Sequence, residues 1–256
     1  MYIDFKNVSS NNDVTNYTRD LDLKTAIAGV NYDKGSTHYS RENFTSYPDN
    51  VIVTHITADG SEKISLDVSV EPDNSRGSAI NGIGDSSYQR TWDTTVSDGR
   101  ISINGQLTDN QMKFSSQTQV ITDNAGTVTD GDGKVSVSGA SEVTIITSMG
   151  TDYKDEYPSY RTGETASELT NRVKWYVDQA AVKTYEELKA NHVSDYQEIF
   201  NRVDLNLGQT VSTKTTDALL SAYKAGTASE AERRQLEVML FLSLIHISEP
   251  TRRTPI

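Results

Sequence analysis

From the start to about residue 150, apolar and polar positions alternate in short runs cut by turn residues. Val51-Ile52-Val53-Thr54-His55-Ile56 is rich in β-branched residues, and Ile64-Ser65-Leu66-Asp67-Val68-Ser69-Val70 alternates with period two; both predict strands. Asp59-Gly60 lies between them and predicts a hairpin turn. Ile101-Ser102-Ile103 is bounded by Asp98-Gly99 and Asn104-Gly105, and Val135–Ser138 and Val143–Ile146 continue the series. Many short strands at close spacing predict an antiparallel β-sandwich with one face of each sheet in water.

The pattern changes near residue 160, and Pro158 and Gly163 put the boundary between Tyr153 and Thr165. Thr165-Ala166-Ser167-Glu168 fits a capping box, after which Leu169, Val173, Tyr176, Val177 and Ala180 recur at helical spacing. Thr184-Tyr185-Glu186-Glu187 opens a second helix carrying Leu188, Tyr196, Ile199 and Phe200. Val203, Leu205 and Leu207 alternate before Gly208 and predict a brief strand. Residues 216–225 predict a helix stopped by Gly226, and Thr227-Ala228-Ser229-Glu230 starts another running towards Phe241. There is no internal repeat.

Composition narrows the chemistry. Apolar residues are 35% of 256, below the usual share even with the 16 glycines added, so the chain favours polar surface, edges and loops. The net charge of −12 provides no basic stripe for phosphates and excludes nucleic acid as a partner. No apolar run approaches the ~20 residues of a membrane span, and Met1–Phe5 has neither the basic start nor the apolar stretch of a signal peptide. With no cysteine there is no disulfide, thiolate nucleophile or Cys-based metal site, and the four scattered histidines make no His-rich one.

The candidate motifs read mostly as structure. Asp130-Gly131-Asp132-Gly133 begins like a calcium loop, but Lys134 takes the next ligand slot and no bidentate Glu follows, so a tight turn is expected. Gly82-Ile83-Gly84-Asp85-Ser86-Ser87 lacks the third glycine of a dinucleotide fingerprint. Asp152, Asp155 and Glu156 invite comparison with paired catalytic carboxylates, but a solvated loop is the expected account. Asn7, Asn16 and Asn43 stand in Asn-x-Ser/Thr sites, which matter only in a glycosylating pathway. The residues thus establish architecture and assign no catalytic, cofactor-binding or metal-ligating position.

Three segments carry a resemblance. Tyr17–Ala26, Val30-Asn31-Tyr32 and Tyr39–Val53, with Tyr39-Ser40-Arg41-Glu42-Asn43-Phe44 and Tyr47-Pro48-Asp49-Asn50 at its centre, are similar to the N-terminal β-domain of glycoside hydrolase family 95. The stretch from His192 through Tyr196-Gln197-Glu198-Ile199-Phe200 to Gly208 resembles that family's linker, and Thr216-Asp217 falls where its helical barrel begins. Within the matched motifs, Leu21, Leu23, Val30 and Tyr32 are expected to alternate with one buried face, and Arg41-Glu42 to begin the next strand with a cross-strand contact. A sugar contact by His38, Tyr39 or Arg41 is the functional alternative.

The resemblance implies a mainly β chain with a helical C-terminal part: a supersandwich at 1–160 whose first strands are missing, a helical linker with a short strand at 161–214, and the first helices of a six-hairpin α/α barrel at 215–241. It implies an α-L-fucosidase acting on fucosylated oligosaccharide by inversion, a Glu serving as acid and Asn residues coupled to an Asp activating water. Those groups belong to the barrel, so none is assigned here and no activity is expected of the chain alone. No cofactor and no membrane insertion are implied, and the family's setting is secreted or periplasmic. The alternatives are an α-L-galactosidase, a free-standing carbohydrate-binding sandwich, or a structural module. Leu242–Arg252 resembles the in-frame translation of a transposase adapter from sequencing libraries, so 242–256 is expected to be a non-native tail and His246 no ligand.

Overall fold

The structure, a computed structural model, describes residues 1–6, 14–72 and 90–248, with the side chains of 244–248 outside that set. Two sheets face each other. The smaller runs β1 (Tyr2–Phe5), β6 (Ile64–Ser69), β11 (Lys134–Ala140) and β10 (Thr127–Asp130) in spatial order. The larger runs β2 (Val14–Asp22), β3 (Ile27–Lys34), β4 (Thr37–Ser46), β5 (Val51–Asp59), β12 (Glu142–Thr151), β9 (Lys113–Thr122), β8 (Arg100–Leu107) and β7 (Arg90–Ser97). Neighbours from β3 to β7 in that order are antiparallel.

The core between the sheets takes Ile56, Leu66, Val68, Val137, Val143 and Ile145. A second cluster lies on the opposite face of the large sheet, where Phe44, Val51, Val53 and Ile146 meet Val177, Ala180 and Leu188 of helices α1 (Ala166–Ala181) and α2 (Tyr185–Phe200). The central strands β5 and β12 are therefore buried on both faces, and the expected single wet face holds only away from them. This is why Val143-Thr144-Ile145-Ile146 reads as a nearly continuous apolar run. Each fully buried aliphatic side chain here contributes roughly 1.5–3 kcal/mol.

Two turn expectations are corrected. Asp59-Gly60 closes no hairpin: β5 belongs to the large sheet and β6 to the small one, so the chain crosses between layers there. Gly60 has φ +147, and a Cβ would stand 2.7 Å from the Thr37 Cα. Asn104-Gly105 is no turn either, because β8 runs through it. Gly105 is required by close approach: a Cβ would lie 2.4 Å from the Thr91 carbonyl oxygen and 2.5 Å from the Phe114 ring. Asp98-Gly99 does join β7 to β8, with φ of +55 and +70.

β2 also departs from expectation. Leu21 is exposed and Leu23 follows the strand, so they share no buried face with Val30; β2 is the edge strand, and its polar residues face solvent. Arg41 and Glu42 lie in the middle of β4 rather than at its start.

The chain divides into two units, Met1–Leu21 with Ile27–Val193, and Asp22–Ala26 with Ser194–Ile256. In the first, α1 opens with the expected capping box: Thr165 caps the Glu168 backbone N–H, and the Glu168 carboxylate accepts from the Thr165 N–H at 2.8 Å. In the second, the Tyr196 hydroxyl donates to the Leu23 carbonyl at 2.7 Å, and helices α3 (Thr216–Lys224) and α4 (Glu230–Ser248) bury Leu219, Ala228 and Val238. Residues 203–207 form no strand: no partner ladder satisfies their backbone, and Val203 and Leu207 are exposed. α4 opens on a Ser229/Glu232 box and continues past Phe241 to Ser248, since no Gly or Pro interrupts the sequence before Pro250.

Candidate functional site

One set of ionisable side chains in the first unit lies where the start of α2 packs on the large sheet. Antiparallel pairing sets Glu42 of β4 directly opposite His55 of β5, on the same face. The Thr184/Glu187 box starts α2 there, with Glu187 accepting from the Thr184 N–H at 2.8 Å, so that Tyr185 and Lys189 lie one turn apart. The Tyr185 ring stacks on His55 at 3.6 Å between centroids, its hydroxyl donates to Glu42, and Lys189 Nζ donates to the same carboxylate oxygen at 2.7 Å. His55 Nδ1 is 3.0 Å from the Thr144 hydroxyl.

Burial holds His55 down at a pKa of about 4, a Glu42 attraction only partly opposing it, so the ring is neutral at pH 7. Burial raises the Glu42 carboxyl, but hydrogen bonds from Lys189 and Tyr185 outweigh it and leave it below its ordinary range. Burial and the adjacent Glu42 carboxylate push the Tyr185 phenol far up. The cluster is thus locked as an ion pair with a neutral histidine. It ties sheet to helix and has no proton to offer near pH 7.

The other buried carboxylates are likewise satisfied. Asp49 accepts from Ser46 at 2.6 Å and from Lys183 at 2.5 Å. Asp67 takes Lys134 at 2.6 Å and Lys6 at 2.8 Å, and these hydrogen bonds hold its carboxyl well below the usual range. Glu164 is lowered by its Arg172 pair. Every carboxyl with a resolved shift moves downward. A glycosidase general acid needs the opposite shift. Among the described residues no group of three or more His, Asp or Glu is placed to hold a metal, and no helix is long and apolar enough to cross a membrane.

The residues singled out from sequence are not brought together. His38 lies at the exposed surface, paired with Asp33 at 2.6 Å. Tyr39 is buried and stacks on Tyr32 at 5.1 Å between centroids. Arg41 has a buried Nε without a partner among the described residues. Asp152 is corrected: it is 2% exposed and not a solvated loop residue, accepting from the Lys113 backbone at 2.9 Å and Nζ at 3.1 Å, whereas Asp155 and Glu156 are exposed. Asp130–Gly133 is the β10–β11 turn; Lys134 is spent on Asp67, and the Asp130 carboxylate accepts from the Asp98 and Gly99 backbone at 2.7 and 2.8 Å. Asn16 donates to Asp33, and Asn43 accepts from Thr54. Gly82–Ser87, Asn7 and the His246 side chain lie outside the described residues. The Glu42–Tyr185–Lys189 set escaped sequence reasoning because Glu42 stands 143 and 147 positions from Tyr185 and Lys189; the only signal was the register of the Thr184 box.

Two family models match the chain. The family model described as glycosyl hydrolase family 65, N-terminal domain, matches residues 1–156. The model of the glycosyl hydrolase family 95 catalytic domain matches residues 184–242. Alpha-L-fucosidase 2 of Arabidopsis thaliana is 28% identical over 80% of this chain and 25% of its own length. Probable alpha-fucosidase A of Aspergillus niger is 28% identical over 82% of this chain and 26% of its own. The chain spans about a quarter of the length of these curated relatives. The solved structure of a candidate kojibiose phosphorylase from the human microbiome shares the fold at TM-score 0.53 and 10% identity, over 73% of this chain and 25% of that one.

Proposed function

The chain belongs to the family of the glycosyl hydrolase family 65 N-terminal domain, and from that premise we propose that it forms the N-terminal sandwich, helical linker and opening helices of a glycoside hydrolase family 95 α-L-fucosidase. The enzyme hydrolyses terminal α-L-fucosyl linkages of oligosaccharides with inversion. The observation that carries this reading is the run of likeness to two α-fucosidases through both units, over 80% and 82% of the chain.

The acid and the activated water of an inverting glycosidase require two groups set roughly 6.5–9.5 Å apart across the scissile bond. The paired carboxylates described above do not supply them, so the catalytic groups belong to the barrel beyond these helices, and the sandwich and linker act as its scaffold. The 256-residue chain, assayed on an aryl α-L-fucoside, is expected to show no turnover, since almost none of an enzyme's ~8–23 kcal/mol of barrier lowering survives without positioned acid and water. A chain extended through a family 95 catalytic domain is expected to release fucose, appearing first as the β-anomer by NMR. Release of galactose in preference to fucose, or turnover by the 256-residue chain that persists through repurification, refutes the proposal.

A further inference from the structure

The large sheet has a polar counterpart to its helix-covered apolar cluster. Where β7, β8 and β9 extend beside α1, a groove of about 440 Å³ is lined by Thr95, Arg100, Asn104, Gln117 and Lys174 among others. It meets a second hollow of about 350 Å³ at Asn104. Both volumes lie in the range of small-molecule sites.

Three features of this groove specify a ligand. First, Gln117 is 2% exposed, yet only its oxygen is used, accepting from Ser102 at 2.7 Å. Its amide nitrogen has no partner among the described residues, and the side chain lines the groove. That nitrogen opens on the groove, where it leaves a donor free to meet a ligand. Second, the Asn104 oxygen is taken by Ser115 at 2.8 Å and Thr170 at 2.7 Å, so Asn104 offers only its N–H₂ to a ligand. Asn104 faces Ser115, and Gln117 is two positions further on the same face, which makes the two residues diagonal neighbours with backbones about 7 Å apart. Third, the two cations are balanced by two carboxylates: Asp178 accepts from Arg100 at 2.7 Å and from Lys174 at 2.6 Å, and Asp98 also lines the groove. An anion would have to displace the Asp178 carboxylate, whereas a neutral ligand need not.

We propose that this groove binds a neutral oligosaccharide, whose hydroxyl oxygens accept from the Gln117 and Asn104 amides while Thr95 supplies a hydroxyl at the rim. A sugar presents closely spaced hydroxyls able to fill two adjacent donors without bringing charge. The site is independent of the fucosidase reading, since binding of a glucose oligomer to a domain of a non-fucosidase would uphold one and not the other.

The test titrates the ¹⁵N-labelled 256-residue chain with a fucosyllactose trisaccharide, with maltotriose and with sodium sulfate, following side-chain amide signals. The Gln117 and Asn104 signals are expected to move with at least one trisaccharide, saturating in the millimolar range, and to ignore sulfate. Gln117→Leu, which removes the donor at similar size, weakens binding at least ~10-fold. Thr95→Tyr, at an exposed position, fills the groove with the same effect and an unchanged thermal midpoint, and it decides the matter alone if Gln117→Leu fails to fold. No movement of either amide up to about 20 mM sugar, movement with sulfate alone, or undiminished binding in Thr95→Tyr overturns the proposal.

Discussion

In the sandwich unit, Ile56 and Ile145 fill the space between two sheets while Val53 and Ile146, on the same two strands, fill the space beneath two helices. In the helical unit, α3 and α4 bury Leu219, Ala228 and Val238 but leave Leu220, Tyr223, Leu240 and Phe241 exposed. The first unit uses both faces of its central strands. The second presents apolar side chains that its own helices do not cover. Regular secondary structure therefore says little about local stability, which follows from how many faces of an element are buried.

The largest test of that contrast is a pair of core truncations. Both tryptophans, Trp92 and Trp175, lie in the sandwich unit, so their fluorescence reports that unit's unfolding. Ile146→Ala is expected to cost about 3–4 kcal/mol and lower the tryptophan-detected midpoint by about 10 °C. Leu219→Ala, equally buried, should move that midpoint by less than about 1 °C. Equal shifts would mean that the two units unfold as one.

Acid sharpens the contrast within the sandwich unit. His55 has a folded pKa of about 4 against 6.5 in the unfolded chain, so the unfolded chain takes up the proton first. Stability is full above pH 6.5 and falls between 6.5 and 4, by roughly 3 kcal/mol from this residue. In His55→Phe, which keeps a ring against Tyr185, urea unfolding at pH 7 and pH 4 should differ by that much less. An unchanged pH dependence would mean that His55 is already accessible to solvent.

Hydrogen exchange probes smaller free energies. Amides of residues 216–241 are expected to exchange at least ~100-fold faster than those of residues 51–70. Comparable protection would show the helical unit's exposed apolar face to be covered. Thr165→Ala should have the smallest effect, about 1 kcal/mol and a few degrees at the tryptophan-detected midpoint, because it removes only the cap of α1.

The sandwich was legible because strand period and turn chemistry are local. Val51–Ile56 and Ile64–Ser69 are strands, and Asp98-Gly99 and Asp130–Gly133 are hairpin turns, as their residues predict. The capping boxes at Thr165 and Thr184 are equally local and are present. Sheet membership was not legible. Asp59-Gly60 ends the strand in either case, and only the absent pairing of β5 with β6 tells a layer crossing from a hairpin. Asn104-Gly105 misleads because glycine admits close neighbours as readily as turns, and Phe114 and Thr91 use that room. Charge pairing was the least legible, since Asp152 reads as one of three loop acids but is buried on Lys113. The groove residues Asn104 and Gln117 carry no motif; they become neighbours only through the β8–β9 register.

The crossing at Gly60 also sets a schedule for folding. β5 emerges early, but its β12 partner lies far along the chain: His55 and Thr144, which face each other across that pair, are 89 positions apart. Glu42 waits still longer for Lys189, 147 positions on. Pairings of such sequence separation form slowly, because the loop must close before the contact rewards it. During synthesis at ~5–20 residues per second, Val51–Ala58 would stand for several seconds as an apolar, β-branched strand with one edge open. Such a segment joins other chains readily, so the yield of this domain should depend on how quickly residues 142–151 arrive to close it.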